Sequence, residues 1–157
     1  MIQNTTWTLG GTNYKTNNNP YETYPVNELY ESERGTQVYS KHATTSTDYI
    51  GLIYPSDYGY ASTDASCRQN LRAGLTYTNN TNGGTCKNNN WLFKGVWYWT
   101  ISPRSSNASN VFGVGSDGLL YDNSALYRVS VRPSVYLKSD IKIVSGSGTK
   151  DDMFKLG

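Results

Sequence analysis

The chain has 157 residues, a length that fits one domain with its own core rather than two. Only 36% of the residues are hydrophobic and 17% charged, yet 13% are aromatic, with 14 Tyr, 4 Trp and 3 Phe; this excludes a helical bundle built on Leu, Ala, Glu and Lys, and excludes a disordered chain poor in aromatics. Fourteen Lys and Arg against twelve Asp and Glu leave a net charge of +2, spread without the basic stripe of a nucleic-acid binder, and no run of about 18 apolar residues is present to span a membrane.

Residues 7–14, Trp-Thr-Leu-Gly-Gly-Thr-Asn-Tyr, read as a short strand ended by a Gly-Gly turn, and residues 15–20 as an Asn-rich loop. Pro25 then stands where a first helical turn tolerates it, and Val26, Leu29 and Tyr30 recur at helical spacing, with Gly35 as the stop. Glu28, Glu31 and Glu33, broken by Arg34, form a short acidic run expected on a solvated helix face. Residues 36–39 read as a strand and residues 41–48 as a polar loop. The apolar run 49–54 is expected to be a buried strand ended by Pro55, with Ser56 as N-cap of a short helix through Asp57, Tyr58 and Tyr60 that restarts weakly towards Leu71. Residues 78–90, nearly all Asn, Thr and Gly, read as a surface excursion.

The second half is β-like. Residues 91–93 and 96–101 read as aromatic strands, and residues 111–114 alternate. Ser116-Asp-Gly118 is a tight-turn signal that lets residues 119–121 pair back as a hairpin, followed by a polar turn at residues 122–124. Alternation along residues 129–137 places Val129, Val131, Pro133, Val135 and Leu137 on one core face, with Pro133 marking an edge or a bulge. A last strand at residues 141–144 leads into a polar tail. Phe112, Trp97 and Trp99 are expected in the core, and Arg132 is expected to pair with a carboxylate or with backbone carbonyls beside it.

Cys67 and Cys86 are the only cysteines, on either side of a Gly- and Asn-rich stretch. Two cysteines make no four-ligand zinc site unaided, and the single His42 is remote in sequence. A disulfide closing the loop would contribute about 3 kcal/mol in the chain-entropy account and would place the protein outside the cytosol; two free thiols are the alternative. The bridge is the expectation. Asn4, Asn79 and Asn107 stand in N-x-S/T triplets, a pattern that a chain rich in Asn and Thr produces by chance.

No catalytic set emerges. His42 lies in a polar stretch with nothing apolar to hold it, and no strand presents a pair of carboxylates for glycoside hydrolysis. Asp57 and Asp64 near Ser56 are the candidates for calcium ligands, but they form no tight cluster, and Asp117 reads as turn chemistry. The expectation is a protein that is not an enzyme and uses no metal or cofactor.

Leu52-Ile-Tyr-Pro-Ser-Asp-Tyr-Gly-Tyr-Ala61 resembles the strand, proline and capped-helix element of C-type lectin folds of the formylglycine-generating-enzyme type. The stretch from Trp99-Thr-Ile-Ser-Pro103 through Val111-Phe-Gly-Val114 and Ser116-Asp-Gly118 to Val131-Arg-Pro133 resembles the ligand-binding half of variable proteins diversified by retroelements. Trp7-Thr-Leu-Gly-Gly11, Glu33-Arg-Gly-Thr36, Cys86-Lys-Asn-Asn89, Trp91-Leu92 and Val131-Arg-Pro-Ser-Val-Tyr-Leu-Lys138 extend the resemblance to the globular domains of pilin-like surface proteins of gut Firmicutes, over nearly the whole chain. The enzymes of that fold use a reactive cysteine pair and copper, and Cys67 and Cys86 do not sit in their motif.

The resemblance implies one α+β domain over residues 1–157, of C-type lectin-like fold, with two short helices, a twisted and mainly antiparallel sheet, and long loops. It further implies a ligand-recognition module at the cell surface or outside the cell, with a protein or another cell-surface structure as ligand. A carbohydrate-binding module and a structural pilin subunit are the alternatives; nucleic acid and direct membrane contact are not expected. Met1 opens a polar segment, which fits a fragment lacking its targeting sequence. The contact surface it implies comprises Arg104, Asn107, Ser109, Asn110 and Gly113, interleaved with apolar Val111, Phe112 and Val114, and then Tyr121, Asp122, Asn123, Ser124, Tyr127 and Arg128. Tyr, Ser, Asn and Gly with occasional Arg is also a composition that suits a binding surface, because Tyr gives contact area at low entropy cost.

Overall fold

Val26 and Leu29 fall nearly one helical turn apart behind Pro25, and both are buried in α1 (Val26–Arg34), whose other positions are mostly exposed. The structure is a computed structural model that describes residues 1–9, 25–34, 45–68, 71, 87–104, 107, 109–149 and 151–157. Expectations for residues 10–24, 35–44 and 72–86, which include Gly35, His42, Asn79 and Cys86, lie outside the described residues.

The second helix, α2 (Pro55–Tyr60), starts two residues earlier than the sequence suggests. Tyr54 is its N-cap and Pro55 takes the first helical position, where a missing N–H costs nothing. The Asp57 carboxylate accepts the Tyr54 N–H at 3.0 Å, so it does the capping that Ser56 was expected to do. Ser56 instead points inward, and its hydroxyl donates to buried Glu33 of α1. Glu33 is 0% exposed, which corrects the expectation of a solvated acidic face: Glu28 and Glu31 face water, Glu33 does not. A 3-10 turn, Ala65–Arg68, follows α2 and carries buried Cys67.

The strands are short: β1 (Thr5–Thr8), β2 (Thr45–Asp48), β3 (Gly51–Leu52), β4 (Tyr98–Pro103), β5 (Asn110–Val114), β6 (Leu120–Ser124), β7 (Pro133–Ser134), β8 (Ile143–Ser145) and β9 (Lys155–Leu156). All named pairings are antiparallel: β1 with β2, β3 with β7, β4–β5–β6 as a three-stranded sheet, and β8 with β9. Two short helices in the first half and several small antiparallel sheets make the described residues a mixed α+β arrangement, as expected.

The core lies between the two helices and one face of the three-stranded sheet. Val26 and Leu29 meet Ile53, Tyr58, Ala61 and Leu71, and these meet Leu92, Tyr98, Phe112, Val114 and Leu120. Burying a large apolar side chain contributes about 1.5–3 kcal/mol, so Phe112 and Leu120, at 1% and 0% exposed, anchor the sheet to α2. Tyr58 reaches across this core and donates to the Gly118 carbonyl at 2.7 Å, tying α2 to the β5–β6 turn. That turn is the Asp-Gly signal: Gly118 sits at φ 88°, and the Asp117 carboxylate accepts the Leu119 N–H at 3.1 Å.

Several expectations are corrected. Residues 45–48, read as loop, form β2, because they pair with β1 from Thr5–Asp48 to Thr8–Thr45. In the run 49–54, Tyr49 and Ile50 are more than half exposed and only Ile53 and Tyr54 are buried, since the strand itself is just Gly51–Leu52. Residues 91–93 form a turn rather than a strand, with Leu92 inward and Trp91 outward. Residues 122–124, read as a polar turn, complete β6 opposite Asn110, Val111 and Phe112. In residues 129–137, Val131, Val135 and Leu137 are all 40% or more exposed, because the segment pairs at Ser130, at Pro133–Ser134 and against residues 1–3 with these side chains turned to solvent. The tail is not featureless either, because β9 returns to pair with β8.

Candidate ligand-binding face

Strand alternation sorts the side chains of β4, β5 and β6 onto two faces. Tyr98, Thr100 and Ser102 of β4, Phe112 and Val114 of β5, and Leu120 of β6 point inward and are buried. Trp99, Val111, Gly113, Tyr121 and Asn123 occupy the alternate positions, with Trp99 opposite Gly113 and Gly113 opposite Tyr121. Trp97, just before β4, folds over the same face. Its ring lies 5.6 Å from that of Tyr121 in a stacked arrangement with a 29° interplanar angle, and 5.9 Å from that of Trp99, edge-on at 76°.

Trp97, Trp99 and Tyr121 are all partly exposed. Trp97 and Trp99, expected in the core, therefore form an outer aromatic platform, whereas Phe112 is a core residue as expected. Their position opposite buried Tyr98 and Thr100 was the available signal, masked because aromatic content alone argues for burial. The platform is fixed at both ends. Tyr121 Oη donates to the Asp117 carboxylate at 2.6 Å, and Gly113 leaves the space into which Trp97 folds: a Cβ there would stand 2.6 Å from the Trp97 ring and 2.9 Å from the Tyr98 carbonyl oxygen.

The remaining sequence-predicted residues divide into two groups. Arg104, Asn110 and Asp122 join at the far end of the sheet: Arg104 Nη1 is 2.7 Å from Asp122 Oδ2, and Asn110 Nδ2 donates to the same oxygen at 2.9 Å. The Asp122 side chain is only 4% exposed, so this arrangement braces the β5–β6 end against the loop after β4. The second group lies at the rim, at the end of β6 and in the turns beside it. Asn107 and Ser109 are exposed, with Asn107 Oδ1 accepting the Ser109 N–H at 3.0 Å. Asn123 Oδ1 accepts the Ser124 N–H at 2.9 Å, and Ser124 Oγ accepts the Leu126 N–H at 3.3 Å. Tyr127, at 60% exposed, and Arg128 project from the turn after β6.

Away from this face, Glu33 carries the strongest electrostatic perturbation. Burial raises its carboxyl from 4.5 to about 8, against the opposing pull of two Ser56 hydrogen bonds and of Arg34. Arg34 itself is 3.1 Å from Asp57 and lies over the rings of Tyr30 and Tyr54 at 4.2 and 4.3 Å. Burial also raises the Tyr98 phenol to about 12, and its hydroxyl donates to the Leu92 carbonyl at 3.1 Å. Asp57, one of the two candidate calcium ligands, is thus occupied by Arg34 and the Tyr54 N–H, and no group of three or more His, Cys, Asp or Glu that could hold a metal occurs among the described residues. Cys67 is buried and is not a free thiol.

Compared with known protein families, curated proteins and solved structures, the chain matches none.

Proposed function

We propose that this chain is a ligand-recognition module of C-type lectin-like fold, similar to retroelement-diversified variable proteins and displayed outside the cell as the globular head of a pilin-like surface protein. It performs no catalysis. Its ligand is a protein or another cell-surface structure, bound on the outer face of β4, β5 and β6. The observation that carries this reading is the platform of Trp97, Trp99 and Tyr121, held on the solvent side of a sheet whose other side is the core. Aromatic rings fixed before binding lose little conformational entropy, and hot spots concentrate on such anchors. Asn107, Ser109, Asn123, Ser124, Tyr127 and Arg128 supply hydrogen bonds and charge around it.

The stacked Trp97 and Tyr121 rings also favour a second reading, a lectin that packs a sugar face on them. Probing arrays of surface proteins and of glycans with the purified chain, alongside Tyr121→Ala, tests both. Hits on proteins that vanish with Tyr121→Ala support the first reading, and hits on glycans support the second. No hit dependent on Tyr121 leaves a structural pilin subunit.

A further inference from the structure

A cleft of about 560 Å3 opens on another part of the molecule, between the end of α2, the turn at residues 91–92 and β7 with the residue before it. Ile53, Ala61 and Leu92 give it an apolar floor; Trp91, Tyr60 and Arg132 stand around it. This size falls within the roughly 300–1,000 Å3 of small-molecule sites, and an apolar floor with a few convergent polar groups is their usual chemistry.

Trp91 is the first unusual feature. It is 69% exposed, yet both its neighbours are buried: Asn90 at 7% and Leu92 at 7%. The Asn90 side chain donates to the Tyr58 carbonyl at 2.7 Å and accepts the Leu92 N–H at 3.0 Å. The turn is thereby pinned to α2, with its indole turned out into water at the mouth of the cleft.

Arg132 is the second. Its Nη1 donates to the Leu92 carbonyl at 2.6 Å and its guanidinium lies 5.2 Å from the Tyr98 ring, which fixes it at the cleft wall. The group is only partly exposed, and no carboxylate among the described residues pairs with it. Asp57, the acid among the described residues that line the cleft, is held by Arg34 at 3.1 Å. The cleft therefore presents a fixed cation, without a carboxylate partner among the described residues, beside an exposed indole.

We propose that this cleft binds an acidic sugar residue, a hexuronic or sialic acid. The carboxylate pairs with the outward nitrogens of Arg132, the apolar face of the ring lies on Trp91, and the hydroxyls of Tyr60 and Ser134 meet the sugar's own hydroxyls. A guanidinium recognises a carboxylate with two parallel hydrogen bonds, which is the strongest polar contact the cleft offers. The assignment is independent of the sheet-face reading, since it uses none of its residues.

Titration of the 15N-labelled chain with glucuronate and with N-acetylneuraminate, followed at the Trp91 indole N–H and the Ser134 amide, tests the proposal. One or both acids are expected to shift these signals, and binding is expected to weaken about tenfold or more when the same sugar is offered as its methyl ester. Trp91→Ala, at an exposed position that leaves the fold intact, should cost a comparable factor. Shifts at these signals from only one of the two acids identify the source. Equal binding of acid and methyl ester, binding unchanged in Trp91→Ala, or no shift at either signal with both acids overturns the proposal.

Discussion

Trp97 and Tyr121 stack across the outer face of the three-stranded sheet, 5.6 Å between ring centroids, although they belong to segments 24 positions apart and neither is a core residue. Gly113, opposite Tyr121 in the sheet, is the reason the two rings can meet: its missing side chain is the space into which Trp97 folds.

Gly113→Ala should therefore damage the platform more than its size suggests. The new Cβ would stand 2.9 Å from the Tyr98 carbonyl oxygen, a backbone atom that cannot swing aside. A loss of about 1–3 kcal/mol in stability is expected, measured by urea unfolding, together with a red shift of tryptophan emission as Trp97 is displaced.

At Tyr121 the ring and the hydroxyl can be separated. Tyr121→Phe removes the 2.6 Å bond to Asp117 but keeps the ring on Trp97, and should change affinity for an array-identified ligand by less than about threefold. Tyr121→Ala removes the ring and should cost about 2 kcal/mol of binding energy or more. Surface plasmon resonance on the two variants makes the comparison; equal losses would assign the energy to the hydroxyl instead.

Glu33 gives the fold a pH dependence of definite sign. Its carboxyl titrates near 8 in the folded chain, against 4.5 ordinarily, so between these values the folded state holds a proton that the unfolded state has released. The stability it confers is fully present below about pH 4.5, declines as pH rises, and is gone above about pH 8. The slope from one proton is at most about 1.4 kcal/mol per pH unit. Glu33→Gln, which cannot titrate, should flatten the decline in thermal melts over that range.

Ser102 is 0% exposed, and its hydroxyl has no hydrogen-bond partner among the described residues. Ser102→Ala removes a desolvated polar group and leaves the backbone unchanged, so denaturant unfolding should show no loss, or a gain of about 1 kcal/mol.

The proposed bridge between Cys67 and Cys86 is checked by peptide mapping without reductant. A crosslinked peptide pair is expected, and reduction should lower stability by about 2–4 kcal/mol. Two alkylated single peptides would return the free-thiol alternative.

Much of the local structure was legible because its signals are short-range. Pro25 with Val26 and Leu29 marked α1, Ser56 as expected N-cap placed the start of α2 within two residues, and Ser116-Asp-Gly118 marked the turn from β5 to β6. The site was legible only in part. Residues 104–128 do include Tyr121, Asn123 and Tyr127 on or beside the outer face. The same segment also includes Asp122, which is paired with Arg104 and almost wholly buried.

Composition, the α+β mixture of described elements and the position of the tightest turn follow from the sequence alone, since propensity, proline geometry and glycine freedom act within a few residues. Tertiary structure decided the rest. It made Glu33 a buried acid, turned Trp97 and Trp99 outward, and left Val131, Val135 and Leu137 exposed. An alternating pattern tells which residues share a face but not which face another element will cover, and burial is a property of that second element.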